Sequence, residues 1–226
     1  MQIIEFSRNG KRIYGELYLP EGTGSFPVVI IGHGFGGSIA DTRNYAQVFA
    51  GQGIASFAFD FIGGGPDSKS DGCMKEMSVL TEAADMEVIL EEISKRPEID
   101  EKNVFLMGLS QGGFVASYTA AKHPEKVRGL IAEYPAYVLQ DDTHRRVPDP
   151  QEIPDTFSVM GYEIGKIYHE DAMSFDIYSV LPEFKRNVLL LHGTADEIVP
   201  VSYSERAALC FPSAKLVKIP GAGHGF

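Results

Sequence analysis

Cysteine is scarce in this chain of 226 residues: Cys73 and Cys210 are the only two, far apart and in no ligand-like spacing. That argues against a disulfide framework and a thiolate metal site, and reduced thiols fit a cytoplasmic setting. Positive charge is also short, with 20 Lys and Arg against 31 Asp and Glu, a formal net charge of −11. Nucleic acid and anionic membranes both want a basic face, so neither is an expected partner. No apolar stretch is long enough to cross a membrane as a helix. The opening "MQIIEFSRNGKRIYGELYLP" alternates apolar and polar residues, the pattern of strands and not of a leader peptide. His144, within "DDTHRR", has no partner at metal spacing. The glycine-rich "IGGGPDSKSDG" (Ile62–Gly72) has no Gly-Lys-Ser/Thr and opens no helix. It reads as a turn-rich surface loop, tied down by Asp60, and not as a phosphate loop. Repeats, low-complexity tracts and linkers are missing as well, which leaves a single domain.

What is present is an ordinary globular balance, 44% hydrophobic and 23% charged. Two antiparallel strands are expected at Ile3–Phe6 and Arg12–Leu19, with a turn at Asn9-Gly10. Short apolar runs follow at Val28–Gly32, Ile54–Asp60, Asn103–Gly108, Val127–Tyr134, Asn187–Gly193 and Lys215–Pro220. Such near-continuous runs suit a parallel sheet covered on both faces. Helical periodicity lies between them, at Thr42–Gln52, Val79–Arg96, Ser110–Lys122 and Tyr203–Cys210. In the second of these the acids come early and Lys95, Arg96 and Pro97 come late, matching the helix dipole and a stop signal. The alternation implies a doubly wound α/β fold. Between Pro135 and Pro182 the alternation stops, while tyrosine, phenylalanine, proline and acids are plentiful. This reads as a small helical cap (135–182) inserted into a core formed by 1–134 and 183–226, with a decorative surface excursion as the alternative.

The chemistry concentrates at "FLMGLSQGGF" (Phe105–Phe114), where a buried strand meets a helix. A turn that sharp leaves no room beside its central residue, so Gly108 and Gly112 flank Ser110 and its hydroxyl is thrust out above the sheet edge. A serine merely capping a helix is the bland reading of the same pattern. Serine is a poor nucleophile and needs a base, oriented by a third group. "HGTADEIVP" places Asp196 beyond the end of one late strand, and "PGAGHGF" places His224 beyond the last. The order Ser110, Asp196, His224 is the one expected in this architecture of a nucleophile–acid–base set. The turn "IGHGFGGS" (Ile31–Ser38) can face backbone N–H groups to the same point, and the N–H groups of Phe35 and Gln111 are the expected oxyanion donors. His33 could act as a second base, but bracing of this turn by hydrogen bonds is its expected role.

Together "GLSQGG", "HGFGGS", "HGTADEIVP" and "GAGHGF" resemble the serine esterases of the α/β-hydrolase fold, above all the small bacterial cinnamoyl or feruloyl esterases. The likeness runs from Pro20 to the end of the chain, and includes "FDFIGGGPDSKSDG" and the cap. It implies an α/β-hydrolase fold, no metal or cofactor, a small-molecule ester substrate, Ser110 as nucleophile, His224 as base and Asp196 as its orienter. It also implies polar cap groups at the ring of a hydroxycinnamoyl substrate; Asp141, Asp142 and Tyr168 are the candidates, with packing of the cap as the competing role of the tyrosine. A peptidase, an acyltransferase or a non-catalytic binding protein would display the same residues. Members of the group usually carry a further helix after the position of His224, whereas Phe226 is the last residue here. The resemblance therefore implies an apolar sheet face that is left open or covered by a second copy, or a longer chain.

Overall fold

The computed structural model describes residues 1–226. The apolar runs form an eight-stranded sheet. Its first hairpin, β1 (Gln2–Arg8) and β2 (Lys11–Tyr18), turns at Asn9 and Gly10, both at positive φ, as a two-residue Asn-Gly turn favours. There follow β3 (Phe26–Gly32), α1 (Ile39–Gly51), β4 (Ala55–Phe59), α2 (Val79–Ile93), β5 (Ile99–Leu109), α3 (Gln111–Lys122) and β6 (Gly129–Glu133). The segment after β6 holds α4 (Leu139–Arg146), β7 (Thr156–Val159), β8 (Tyr162–Gly165), α5 (Ile167–Met173) and α6 (Ile177–Val180). The sheet then closes with β9 (Asn187–Gly193), α7 (Ser202–Cys210) and β10 (Ala214–Ile219). Strand order is β1-β2-β4-β3-β5-β6-β9-β10, antiparallel as far as the β2–β4 pair and parallel from β4 onward.

Alternation along β5 shows why both faces need cover. Val104 and Leu106 point into the large core beneath α2 and α3, whereas Met107 and Leu109 join a smaller core under α1. On that second face, toward β10, Ile131, Leu189, Leu191 and Val217 are only half-buried. No helix is long and apolar enough to cross a membrane.

Two helix ends differ from the periodicity. α1 begins at Ile39, before Thr42, because Ser38 and Asp41 cap it reciprocally: the Ser38 Oγ accepts the Ala40 N–H and the Asp41 carboxylate accepts the Ser38 N–H. α2 ends at Ile93, short of Arg96; the Ser94 hydroxyl donates to the Leu90 carbonyl at 2.6 Å, and Lys95 and Arg96 continue only as turns. The larger correction concerns the segment after β6. It is not wholly helical: β7 and β8 pair as an antiparallel hairpin through Met160 and Gly161, at φ 51° and 86°. This hairpin is seated on the core by close backbone approach, since a Cβ on Gly165 would lie 2.1 Å from the Lys75 carbonyl oxygen. Lys75 also pairs with Glu163 at 2.7 Å. Farther along, the Ser78 hydroxyl donates to the Asp171 carboxylate, tying α5 to the start of α2.

Candidate active site

Ser110 stands between the end of β5 and the start of α3 at φ 52°, ψ −116°, a conformation that side-chain-bearing residues rarely adopt. The backbone holds it there: its N–H donates to the Glu133 carbonyl, and its own carbonyl accepts from Gly113, Phe114 and Ala136. The flanking glycines are required by contact. A Cβ on Gly108 would sit 2.0 Å from the Gly112 carbonyl oxygen, and one on Gly112 would sit 2.4 Å from that of His33. The Ser110 hydroxyl lies 2.9 Å from His224 Nε2, and His224 Nδ1 lies 2.8 Å from Asp196 Oδ2. Three loops beyond three strand ends thus bring these side chains into one chain of hydrogen bonds.

The loop bearing His224 is laced to the loop bearing Asp196. Ala195 N–H donates to the Ala222 carbonyl at 2.9 Å, Thr194 N–H to the Ile219 carbonyl at 3.0 Å, and Gly221 N–H to the Thr194 hydroxyl at 2.9 Å. Close approach at Gly193 permits this, because a Cβ there would lie 2.3 Å from the Ala222 oxygen. The Asp196 Oδ1 accepts the N–H groups of Ile198 and Val199. Its Oδ2 has a second neighbour, His192 Nε2 at 3.2 Å. His192 is fully buried, and burial lowers its pKa, keeping it neutral. Its Nε2 faces only acceptors, Asp196 and the Val199 carbonyl, so the proton sits on Nε2 and Nδ1 accepts from the Ser204 hydroxyl at 2.7 Å. His192 was not singled out from the sequence, where it looks like the last residue of a strand; its spacing of four from Asp196 is the signal that was available.

Opposite His224, the turn after β3 presents Phe35. The N–H groups of Phe35 and Gln111 donate to no other group of the chain, as unsatisfied donors aimed at a ligand would. His33 braces this turn: one ring nitrogen donates to the Gly34 carbonyl at 2.8 Å, and the other accepts the Phe61 N–H at 3.2 Å. Complete burial lowers its pKa. Asp60 fastens the turn to the following loop, its carboxylate accepting the N–H groups of Ile39 and Lys69.

Two recesses meet at Ser110. One is mainly apolar, with Val138, Leu139 and Val159 along its walls, Tyr168 beside Gln111, and Asp142 and Arg146 among its polar groups. The other is lined by Asp41, Leu109, Tyr134 and His224. Met160, at the hairpin tip, and Ile198 border both. Asp142 and Tyr168 therefore lie at the site. Asp141 does not: one residue along α4 turns it outward, where its carboxylate accepts the Tyr203 hydroxyl at 2.7 Å and it lines a separate groove with Arg206. Tyr168 presents its ring to the recess, while its hydroxyl is already used, donating to Gln111 Oε1 at 2.7 Å.

This strand order, with a serine at a glycine-flanked strand–helix turn, defines an α/β hydrolase. The sequence profile of the family described as serine aminopeptidase, S33 matches residues 25–170, and the chain belongs to that family of serine hydrolases. The match includes Phe35, Ser110 and Gln111 and ends before Asp196 and His224. Among curated proteins, the mouse mitochondrial palmitoyl-protein thioesterase ABHD10 is 28% identical over 172 residues, 69% of this chain and 53% of that protein. A putative carboxymethylenebutenolidase of Aquifex aeolicus is 29% identical over 59% of this chain and 61% of its own length. The chain thus spans between half and two thirds of these relatives. Among solved structures, ferulic acid-bound Est1E from Butyrivibrio proteoclasticus superposes with a TM-score of 0.91 at 24% identity, covering 99% of this chain and 91% of that one. The mouse ABHD10 structure gives a TM-score of 0.80 at 22% identity, covering 99% and 91%. At these identities the superpositions establish the shared fold.

Proposed function

We propose that this protein hydrolyses carboxylic esters through an acyl-enzyme on Ser110. The observation that carries the reading is the continuous chain from the Ser110 hydroxyl to His224 at 2.9 Å and from His224 to Asp196 at 2.8 Å. In the acylation step the Ser110 oxygen attacks the ester carbonyl carbon while His224 Nε2 takes the hydroxyl proton. The negative charge that develops on the carbonyl oxygen is met by the N–H groups of Phe35 and Gln111. The carbon–oxygen bond to the alcohol then breaks, and the alcohol leaves with the proton from His224. Water then attacks the acyl carbonyl carbon as His224 takes its proton; the bond to the Ser110 oxygen breaks, His224 returns the proton to Ser110, and the acid is released. Asp196 keeps the imidazole oriented throughout, and its other acceptor contacts hold the carboxylate in place.

The recesses support a division of the substrate. The recess lined by His224 suits the alcohol, because the leaving group must take its proton there. The apolar recess suits the acyl group, and the aromatic rings of Phe35 and Tyr168 that line it favour a flat aromatic acid such as a hydroxycinnamoyl group. The ferulic acid held by Est1E, a protein of the same fold, agrees with that choice. Asp142, in the same recess, is the group placed to receive a ring hydroxyl. The relation to a palmitoyl-protein thioesterase makes a fatty acyl thioester the comparison substrate.

The test is turnover of methyl ferulate, p-nitrophenyl acetate and a palmitoyl thioester by wild type and Ser110→Ala. Wild type is expected to prefer methyl ferulate, and the variant to lose about 10⁴-fold or more of kcat. Labelling of Ser110 by a fluorophosphonate, abolished in the variant, is expected alongside. Equal turnover by both proteins overturns the assignment.

A further inference from the structure

The Gln111 carboxamide points away from the recesses and is clamped from two sides. Its Nε2 donates to Glu82 Oε2 at 2.9 Å and to the Met77 sulfur at 3.4 Å, while its Oε1 accepts the Tyr168 hydroxyl. Glu82 belongs to α2 and Tyr168 to α5, so one side chain at the first turn of α3 joins the core to the inserted segment. Glu82 is 1% exposed, has no cationic partner, and its Oε1 makes no hydrogen bond. Burial raises its pKa well above the ordinary carboxylate range, because the charged form is desolvated. Even a neutral acid with an orphaned oxygen costs free energy in an apolar core, and the acylation chemistry makes no use of it. What it holds is therefore the point of interest. Tyr168 reaches the other oxyanion residue too, with its ring edge-to-face against Phe35 at a centroid distance of 5.7 Å.

We propose that Glu82 and Tyr168 are positioning residues for the oxyanion site. Gripping the Gln111 carboxamide from opposite sides, they fix the first turn of α3 so that the Gln111 N–H meets the developing oxyanion, and they make that alignment depend on the seating of α5. The inference rests on the ester-hydrolysis reading. Its physical basis is the steep dependence of oxyanion stabilisation on donor placement, together with the position of Gln111. It follows a strained serine, its N–H has no partner in the chain, and its side chain is held from both α2 and α5.

Four variants test it on p-nitrophenyl acetate, whose acyl group is too short to fill the recess beside Tyr168. Glu82→Leu and Tyr168→Phe are each expected to lower kcat about tenfold, with KM changed less than twofold, since the missing alignment matters in the transition state. Glu82→Gln, neutral and able to accept from Gln111, is expected to retain most of the activity. The double variant Glu82→Leu/Tyr168→Phe is expected to lose less than the product of the two single losses, because both act through one carboxamide. A second readout needs no turnover: the ¹⁵N–¹H resonance of Gln111 is expected to shift in Glu82→Leu and Tyr168→Phe and to stay near its wild-type position in Glu82→Gln. Should Glu82→Leu fail to fold, Tyr168→Phe carries the test. If kcat and the Gln111 resonance both stay at wild-type values in a folded variant, the proposal is overturned. Absence of all ester turnover by wild type sinks the proposed function instead, and the resonance still decides whether the clamp exists.

Discussion

Ser110→Gly is expected to make the protein more stable than Ser110→Ala while both are inactive. Ser110 occupies φ 52°, ψ −116°, where a Cβ meets the adjoining carbonyl and where glycine is at ease. Four backbone hydrogen bonds, one through its N–H and three through its carbonyl, keep the residue there despite the strain. A side-chain-bearing residue in such a conformation costs about 1–3 kcal/mol. Glycine gives back about 0.4–1 kcal/mol through the greater freedom of its unfolded chain. The net gain expected for glycine over alanine is about 1 kcal/mol, or about 2–4 °C in Tm for a chain of this length. Alanine is the proper reference, because both variants lose the hydroxyl contact to His224 and only one keeps the Cβ. The assay is thermal unfolding followed by circular dichroism, with reversible urea denaturation as the equilibrium check. A glycine variant that melts at or below the alanine variant would refute the idea that this turn stores strain to expose its hydroxyl.

Two further expectations come from other parts of the fold. Asp85 is fully buried beside Arg8 and accepts the Ile62 N–H at 2.8 Å, yet burial outweighs these contacts and raises its pKa to about 6. The native carboxyl thus holds its proton more tightly than the unfolded chain does. This group's share of stability therefore falls as pH rises from about 4 to about 6, by about 3 kcal/mol. Urea midpoints at pH 4 and pH 7 should differ less in Asp85→Asn than in wild type, and equal differences would refute the assignment. Met160 takes the left-handed turn position of the β7–β8 hairpin, which asparagine tolerates better. Met160→Asn should raise stability by about 1 kcal/mol while raising KM for esters of aromatic acids about fivefold, because this tip borders both recesses. A variant with higher Tm and unchanged KM would show that the methionine does not touch substrate.

The parts legible in the sequence are those whose signals are local. Val28–Gly32 reads as a strand because burial on both faces leaves no alternation to confuse with helix, and Asn187–Gly193 reads the same way because its half-buried face is apolar too. Ser110, Asp196 and His224 could be placed because each follows directly on a strand end, so chain order and punctuation sufficed. The β7–β8 hairpin escaped notice because its turn is Met-Gly, without the asparagine or aspartate that marks such turns, and its strands have four residues each. Asp141 and Asp142 were indistinguishable as neighbours in "QDD", and the packing of α4 decides which of them meets the recess.

Glu82 shows the limit most clearly. Early in α2, among several acids, it fits the rule that carboxylates favour the positive end of a helix. In the fold it is a buried acid, its pKa raised by burial, that accepts from Gln111, and the dipole rule is the wrong physics for it. A helical wheel assigns faces but does not say which partner a face will meet. Here the partner is the first turn of α3, which lies against α2 because β3 and β5 are neighbours in the sheet while α2 intervenes in the chain. The same holds for His192, whose ring meets Asp196 only after the loop beyond β9 folds back over it. The residues proposed to react sit beyond the ends of elements, where sequence punctuation is strongest, whereas those proposed to aim them sit inside elements. Such residues are recognised only once the neighbouring element is in place, and substitutions at Glu82 and Tyr168 are therefore the sharper probes of how this site is built.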